Sequence, residues 1–180
     1  MEARMYPVVR MVKELALHSQ AETLPVWGTH VSRHLCWPWD LDLWMELNNG
    51  RTLSLFDLGR IPLAQRNGLF KAMRENGWGI TVAGVSVRYR ARIRLFDRVE
   101  MRSRGVGHDG RFLYIEQTMW NGETCTTQAL IRSAITSKAG IVAPERVLEA
   151  MGTDPVSPPL PDWVSAWIAA EAERPWPPSL

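Results

Sequence analysis

Between residues 81 and 95, Val85, Val87, Tyr89, Ala91, Ile93 and Leu95 alternate with Ser86, Arg88, Arg90, Arg92 and Arg94. A period of two is the period of a β-strand, whose successive side chains point to opposite faces. The pattern predicts one strand over this stretch, with an apolar face that covers a helix and an opposite face carrying four arginines. That basic face is either a solvated surface that discourages aggregation or a set of guanidinium forks suited to phosphate groups.

Three further strands are predicted downstream, over 99–106, 112–120 and 124–137. The hairpin signals His108-Asp-Gly110 and Asn121-Gly122 separate them. Upstream, Thr29 to Trp39 reads as a first strand containing His30 and His34, for which a satisfied or surface strand position is the expected role. The strand ends in a polar corner, Trp37 to Arg51. From Asn49 the apolar residues Leu53, Phe56, Leu58, Ile61 and Leu63 recur at helical spacing. Gly59 and Pro62 are expected to bend or break this helix after about three turns, before a second helical piece that ends at Asn76-Gly77. One long helix followed by an antiparallel meander is an α+β order, in which a curved sheet wraps a central helix.

The corner holds the polar chemistry. Asn48 or Asn49 is suited to N-cap the helix, because a side-chain amide oxygen can accept one of the orphan N–H groups of a first turn. Asp40 and Asp42 precede that electropositive helix end, where a carboxylate is favoured. Asp57 and Arg60 stand three apart on the helix, spaced for an ion pair. No Gly-rich phosphate loop, serine-hydrolase elbow or metal-ligand cluster is present in the sequence.

The termini add two segments to a central unit. Residues 1–27 contain an amphipathic helix opened by Pro7, expected to pack on the domain or on a second subunit, with peripheral membrane contact as the less favoured alternative. Residues 153–180 form a Pro-rich linker, a helix starting at Asp162 and a Trp-rich tail, expected to dock back across the domain or a partner. A chain of 180 residues with 46% hydrophobic and 22% charged residues fits one ordinary globular domain, and a net charge of +2 points to no nucleic-acid partner. Cys36 and Cys125 give no disulfide framework or zinc spacing, so free thiols in a reducing cytoplasm are expected. No apolar run has the length of a membrane span and charges interrupt the first thirty residues, so no stable membrane insertion is expected. The nine tryptophans are expected chiefly as core and interface filler.

Asp40-Leu-Asp42, Glu46-Leu-Asn48-Asn49 and Phe56-Asp57-Leu-Gly59-Arg60 together resemble the signature of the hot-dog-fold acyl-CoA thioesterases, within the 4-hydroxybenzoyl-CoA thioesterase-like superfamily. The likeness spans about residues 28 to 150, within a domain expected over 28–152, and is nearest a bacterial branch of small thioesterase-like proteins with an added N-terminal segment. It implies a hot-dog fold and a homodimer or homotetramer that hydrolyses an acyl-CoA, with coenzyme A entering as part of the substrate and no separate cofactor or metal. Carried over residue by residue, it implies Asp42 as base or nucleophile and Asp57 facing the thioester from the helix. Asn48, Asn49 and Gly50 would shape the corner and the carbonyl-oxygen donors, and Arg88, Arg90 and Arg92 would serve coenzyme A phosphates. Glu46 stands where the signature has His, and Thr52 where it often has Tyr. The departure at Glu46 implies either a substitute base or a protein that binds acyl-CoA or lipid without turning it over. A hot-dog dehydratase would want a His beside an acid near the helix, and none of the four histidines stands there.

Overall fold

The computed structural model describes residues 6–178. Helix α1 (Val8–Leu17) leads into strand β1 (Thr29–Leu35), which stops before the 3₁₀ turn Pro38–Asp40. Helix α2 (Asn49–Arg66) and helix α3 (Leu69–Asn76) follow, then β2 (Gly79–Tyr89), β3 (Arg98–His108), β4 (Leu113–Asn121), β5 (Thr124–Ser137) and β6 (Gly140–Val142). Helices α4 (Pro144–Ala150) and α5 (Asp162–Ala172) complete the chain. The strands form one antiparallel sheet in the order β1-β3-β4-β5-β2, with β6 on β5.

Helix α2 does not break at Gly59 or Pro62, contrary to the expectation from their residue types. It runs 18 residues with Pro62 inside, and the chain turns at Gly68 instead (φ 86°). Gly59 serves close approach. A Cβ there would meet the side chains of Ser103 and Met101 on β3, so its absence lets the helix settle on the sheet. Phe56, Leu58, Met101, Met119 and Ile131 are buried between the two layers. Each such side chain contributes about 1.5–3 kcal/mol of burial energy. Gly77, left-handed at φ 66°, closes α3 as its composition predicts.

Strand β2 departs from its prediction in length and in cover. It ends at Tyr89, so Ala91, Ile93 and Leu95 belong to the following loop. It pairs only with β5 and forms an edge of the sheet. A bulge at Ala83 shifts the pairing by one residue. Ile80 and Val82 before it, and Val85, Val87 and Tyr89 after it, therefore all oppose inward residues of β5 from Ile135 to Thr127. Helix α2 lies over β1, β3 and β4 and leaves this inner face of β2 largely uncovered.

Both terminal segments pack on this frame. Met11 of α1 joins the main core. Helix α5 lies across the opposite face of the sheet, where Val164, Trp167 and Ile168 meet Val106, Tyr114 and Leu130. Arg132 is held between the rings of Phe112 and Trp167, at 4.9 and 5.2 Å, with Glu171 at 3.6 Å. The tryptophans divide: Trp78 and Trp167 pack against buried clusters, whereas Trp37, Trp39, Trp44, Trp163 and Trp176 are exposed.

His30 and His34 are buried on the inner face of β1 beside α1. His34 Nε2 lies 2.8 Å from Ser32 Oγ, and His30 Nδ1 lies 3.1 Å from Arg66 Nη1. Burial lowers both imidazoles, His30 to about 4 and His34 to about 3, so they are neutral at neutral pH. His34 is a satisfied strand histidine, whereas His30 keeps its Nε2 buried without a hydrogen-bond partner. Cys36 and Cys125 are free thiols, and burial raises both, Cys36 to about 11.

Candidate active site

The corner between β1 and α2 is built on Asp40. Its side chain has no solvent exposure, and it accepts from Arg10 Nη1 at 2.7 Å, Arg51 Nε at 2.7 Å and the Trp37 backbone N–H at 3.1 Å. Two guanidiniums and an amide offset the cost of burying the carboxylate. The Asp40 carbonyl also accepts from Asn48 N at 2.9 Å, which sets the start of α2.

Asn48 caps α2: its Oδ1 accepts from Arg51 N at 3.0 Å, and Thr52 Oγ1 donates to the Asn48 carbonyl at 3.1 Å. Helix geometry gives the N–H groups of Asn49 and Gly50 no carbonyl four residues back within the helix, so they face outward from the positive end. Between Asp40 and the cap the chain makes a narrow hairpin, with Leu41 bridged to Leu47. Asp42 closes its turn. Its Oδ1 accepts from Trp44 N at 2.9 Å and Glu46 N at 3.5 Å, while its own N–H donates to the Glu46 carbonyl at 2.9 Å.

Beside the helix end lies an open cleft of about 180 Å³, lined by Glu46, Asn49, Thr52, Tyr89, Arg90, Arg92 and their neighbours. Glu46 is paired with Arg92 Nε at 2.9 Å. Tyr89 donates its hydroxyl to the Asn49 carbonyl at 3.2 Å, and burial raises its phenol. The cleft thus presents a carboxylate, a helix N-terminus and two guanidiniums on one concave surface.

The structure brings Glu46, Asn49, Arg90 and Arg92 together at this cleft, with Asn48 and Gly50 in the turn that forms its edge. Asp42 lies one hairpin turn away and is not among the lining residues. Arg88 is exposed on β2 beyond the cleft. Asp57 belongs to a separate cluster, where it pairs with Arg60 and accepts from Tyr6. Burial, with the Asp57 charge and hydrogen bond adding to it, pushes the Tyr6 phenol up to about 12. Arg60 continues to Gln117 Oε1 at 3.4 Å, and Gln117, fully buried, donates to the Phe56 carbonyl and Ser103 Oγ.

Tyr89 and Thr127 are cleft residues that the motif reading did not single out. They are cross-strand partners in the β2–β5 register, which the local sequence does not state.

The sequence profile of the thioesterase-like superfamily matches residues 36–168, from the end of β1 into α5. The chain belongs to the thioesterase-like superfamily. Protein THEM6 of Xenopus laevis is 29% identical over 172 residues, covering 93% of this chain and 74% of that protein. Among solved structures, the YbaW probable thioesterase of Escherichia coli superposes with a TM-score of 0.63 at 20% identity, covering 68% of this chain and 98% of that one. The DHNA-CoA thioesterase of Staphylococcus aureus superposes with a TM-score of 0.58 at 13% identity, covering 80% and 91%. The sheet curled around α2 is the hot-dog fold of this superfamily.

Proposed function

We propose that this thioesterase-like superfamily member hydrolyses an acyl-CoA thioester at the cleft beside the N-terminus of α2. The observation that carries the proposal is the placing of the Glu46 carboxylate and the first turn of α2 on the same cleft. Thioester hydrolysis requires a base for water and donors for the carbonyl oxygen as it gains charge. In this reading the N–H groups of Asn49 and Gly50 receive the oxygen, and Glu46 takes the proton from the attacking water. Asp42, which the family signature marks as base or nucleophile, holds the Glu46 backbone through its Oδ1. Arg88 and Arg90, exposed on and after β2, meet the phosphates of coenzyme A.

The working unit is a homo-oligomer. An eleven-residue edge strand with its inner face uncovered is a surface that a second copy of β2 would extend, in line with the homo-oligomer that the family resemblance implies.

The Glu46–Arg92 ion pair favours one alternative, a protein that binds acyl-CoA or a lipid and does not turn it over, because a guanidinium already occupies the carboxylate oxygen that an attacking water would need. Free-thiol release from short, medium, long and aromatic acyl-CoAs, with Glu46→Gln and Asp42→Asn alongside, separates the two. Release that falls about a hundredfold or more in Glu46→Gln supports the proposed roles. Loss confined to Asp42→Asn reassigns the base to Asp42. Silence across the panel, with acyl-CoA still raising the melting temperature, leaves the binding protein.

A further inference from the structure

Two turns stand side by side next to the cleft. Residues 42–46 form the hairpin tip and residues 94–97 the turn between β2 and β3; Glu46 and Arg94 bridge them. Both tips hold a large apolar residue in the left-handed region, Met45 at φ 58° and Phe96 at φ 63°. That conformation costs a non-glycine residue about 1 kcal/mol or more. Backbone bonds hold it in place: Met45 N to the Asp42 carbonyl at 3.1 Å, Phe96 N to the Cys36 carbonyl at 2.8 Å, and Arg94 N to Asp97 Oδ2 at 2.7 Å.

The strained turns present apolar side chains to the outside. Leu43 is 93% exposed, Trp44 76% and Phe96 56%, and Met45 is exposed with them. Trp37 stacks on Trp39 at 5.2 Å and meets Phe96 edge-on at 6.4 Å, which extends the patch across both turns. A soluble surface disperses residues of this size; a contiguous set marks a contact.

The charge around the patch points to the partner. Between 88 and 98 the chain carries five arginines and one aspartate. On the sheet's outer surface Arg33 and Arg102 meet Glu100, and Arg104 meets Glu116. Among the described residues, Arg94 and Arg98, which flank Phe96, make no such pair. Two copies meeting through this patch would gather four such arginines, two from each, into one contact, where like charges disfavour association. A bilayer accepts convex tips of any shape, with indoles at the headgroup level and guanidiniums on anionic phosphates.

We propose that the paired tips at Leu43–Met45 and Phe96, with Trp37 and Trp39, dock the protein on the surface of an anionic lipid bilayer. The apolar tips enter the headgroup boundary, and Arg94 and Arg98 meet the lipid phosphates. No helix of the described residues is long and apolar enough to cross a membrane, and the contact proposed here is made by the turns at the bilayer surface. The docked surface borders the cleft, which would open toward the interface where long acyl chains reside. Vesicle binding is read with no thioester present, so it stands or falls separately from the hydrolase reading.

The test is flotation of the full chain with phosphatidylcholine vesicles, with and without phosphatidylglycerol, together with indole emission. The expected result is flotation with the anionic vesicles and a blue shift. Both should be lost in Leu43→Ser/Trp44→Ser, and binding should weaken about thirtyfold in Arg94→Gln/Arg98→Gln. The altered side chains are exposed, and matching melting curves confirm that each variant folds. Protein that stays in the aqueous phase at low salt, or that floats equally well in the Leu43→Ser/Trp44→Ser variant, overturns the proposal. A variant that only converts an oligomer to a monomer also overturns it and assigns the patch to a second copy.

Discussion

Arg10 Nη1 stands 2.7 Å from Asp40 Oδ2, which ties α1 to a carboxylate with no solvent exposure at the start of the candidate site. The same carboxylate takes Arg51 on its other oxygen, so three segments distant in sequence share one charge. Asp40→Ala removes the group common to two guanidiniums and is expected to destabilise the fold by about 3–5 kcal/mol. Arg10→Met should cost less, since Arg10 is partly exposed and its alkyl stem is replaced. Urea unfolding checks both, and a midpoint unchanged in Asp40→Ala would contradict this account.

Gly59→Ala tests the closeness of helix and sheet. On an exposed helix the change would stabilise by up to about 1 kcal/mol. Here the new Cβ meets Met101 Sδ at 2.6 Å and lies closer still to Ser103 Oγ, so a loss of about 1–3 kcal/mol is expected. The sign alone decides, and thermal unfolding reads it.

Acid should weaken the contact between α1 and β1. Unfolded, the imidazoles of His30 and His34 take up protons below about 6.5; folded, they stay neutral down to about 4 and about 3, because burial disfavours their charged forms. Arg66 and His18 facing His30, and Arg10 and Lys13 facing His34, act in the same direction. The unfolded chain binds more protons through this window, so stability falls as pH drops below 6.5, by about 1.4 kcal/mol per pH unit for each histidine. Glu14, buried in the same contact, opposes this: burial raises its carboxyl, so the folded state gains a proton there before the unfolded chain does. One carboxyl against two imidazoles leaves the net direction unchanged. Urea midpoints stepped from pH 7 to pH 5 should fall steadily, and a flat profile would contradict the buried neutral histidines.

Arg132→Ala should loosen α5 without unfolding the sheet. It removes two ring contacts and the Glu171 ion pair, worth about 1–2 kcal/mol together in this half-buried setting. Hydrogen exchange would show faster amides in 162–172, while those of β4 and β5 keep their protection.

Much of the fold was legible because its signals are local. Asn121-Gly122 and His108-Asp-Gly110 mark their hairpins, Gly77 ends α3, and Asn48 caps the long helix as an amide at that position should. What failed depended on partners far along the chain. Gly59 and Pro62 read as breakers because nothing near them states that β3 will press against the helix. Ala91, Ile93 and Leu95 continued an alternation that pairing with β5 ends at Tyr89. The site divides in the same way. Glu46, Asn48 and Asn49 were visible as a motif, whereas Tyr89 and Thr127 reach the cleft only through sheet register, and Asp57 is drawn to Tyr6 by the folding of α1 over α2.

The bulge at Ala83 makes β2 a strand that counts in parity. Were Ala83 paired like its neighbours, with no bulge, one half of the strand would turn over: Ile80 and Val82 would rotate to the outer face, and Gly79 and Thr81 would take their places inside. A neighbouring protein strand reads such an edge by the order of its side chains, so one residue left out of the ladder decides which half of the strand's sequence that neighbour meets.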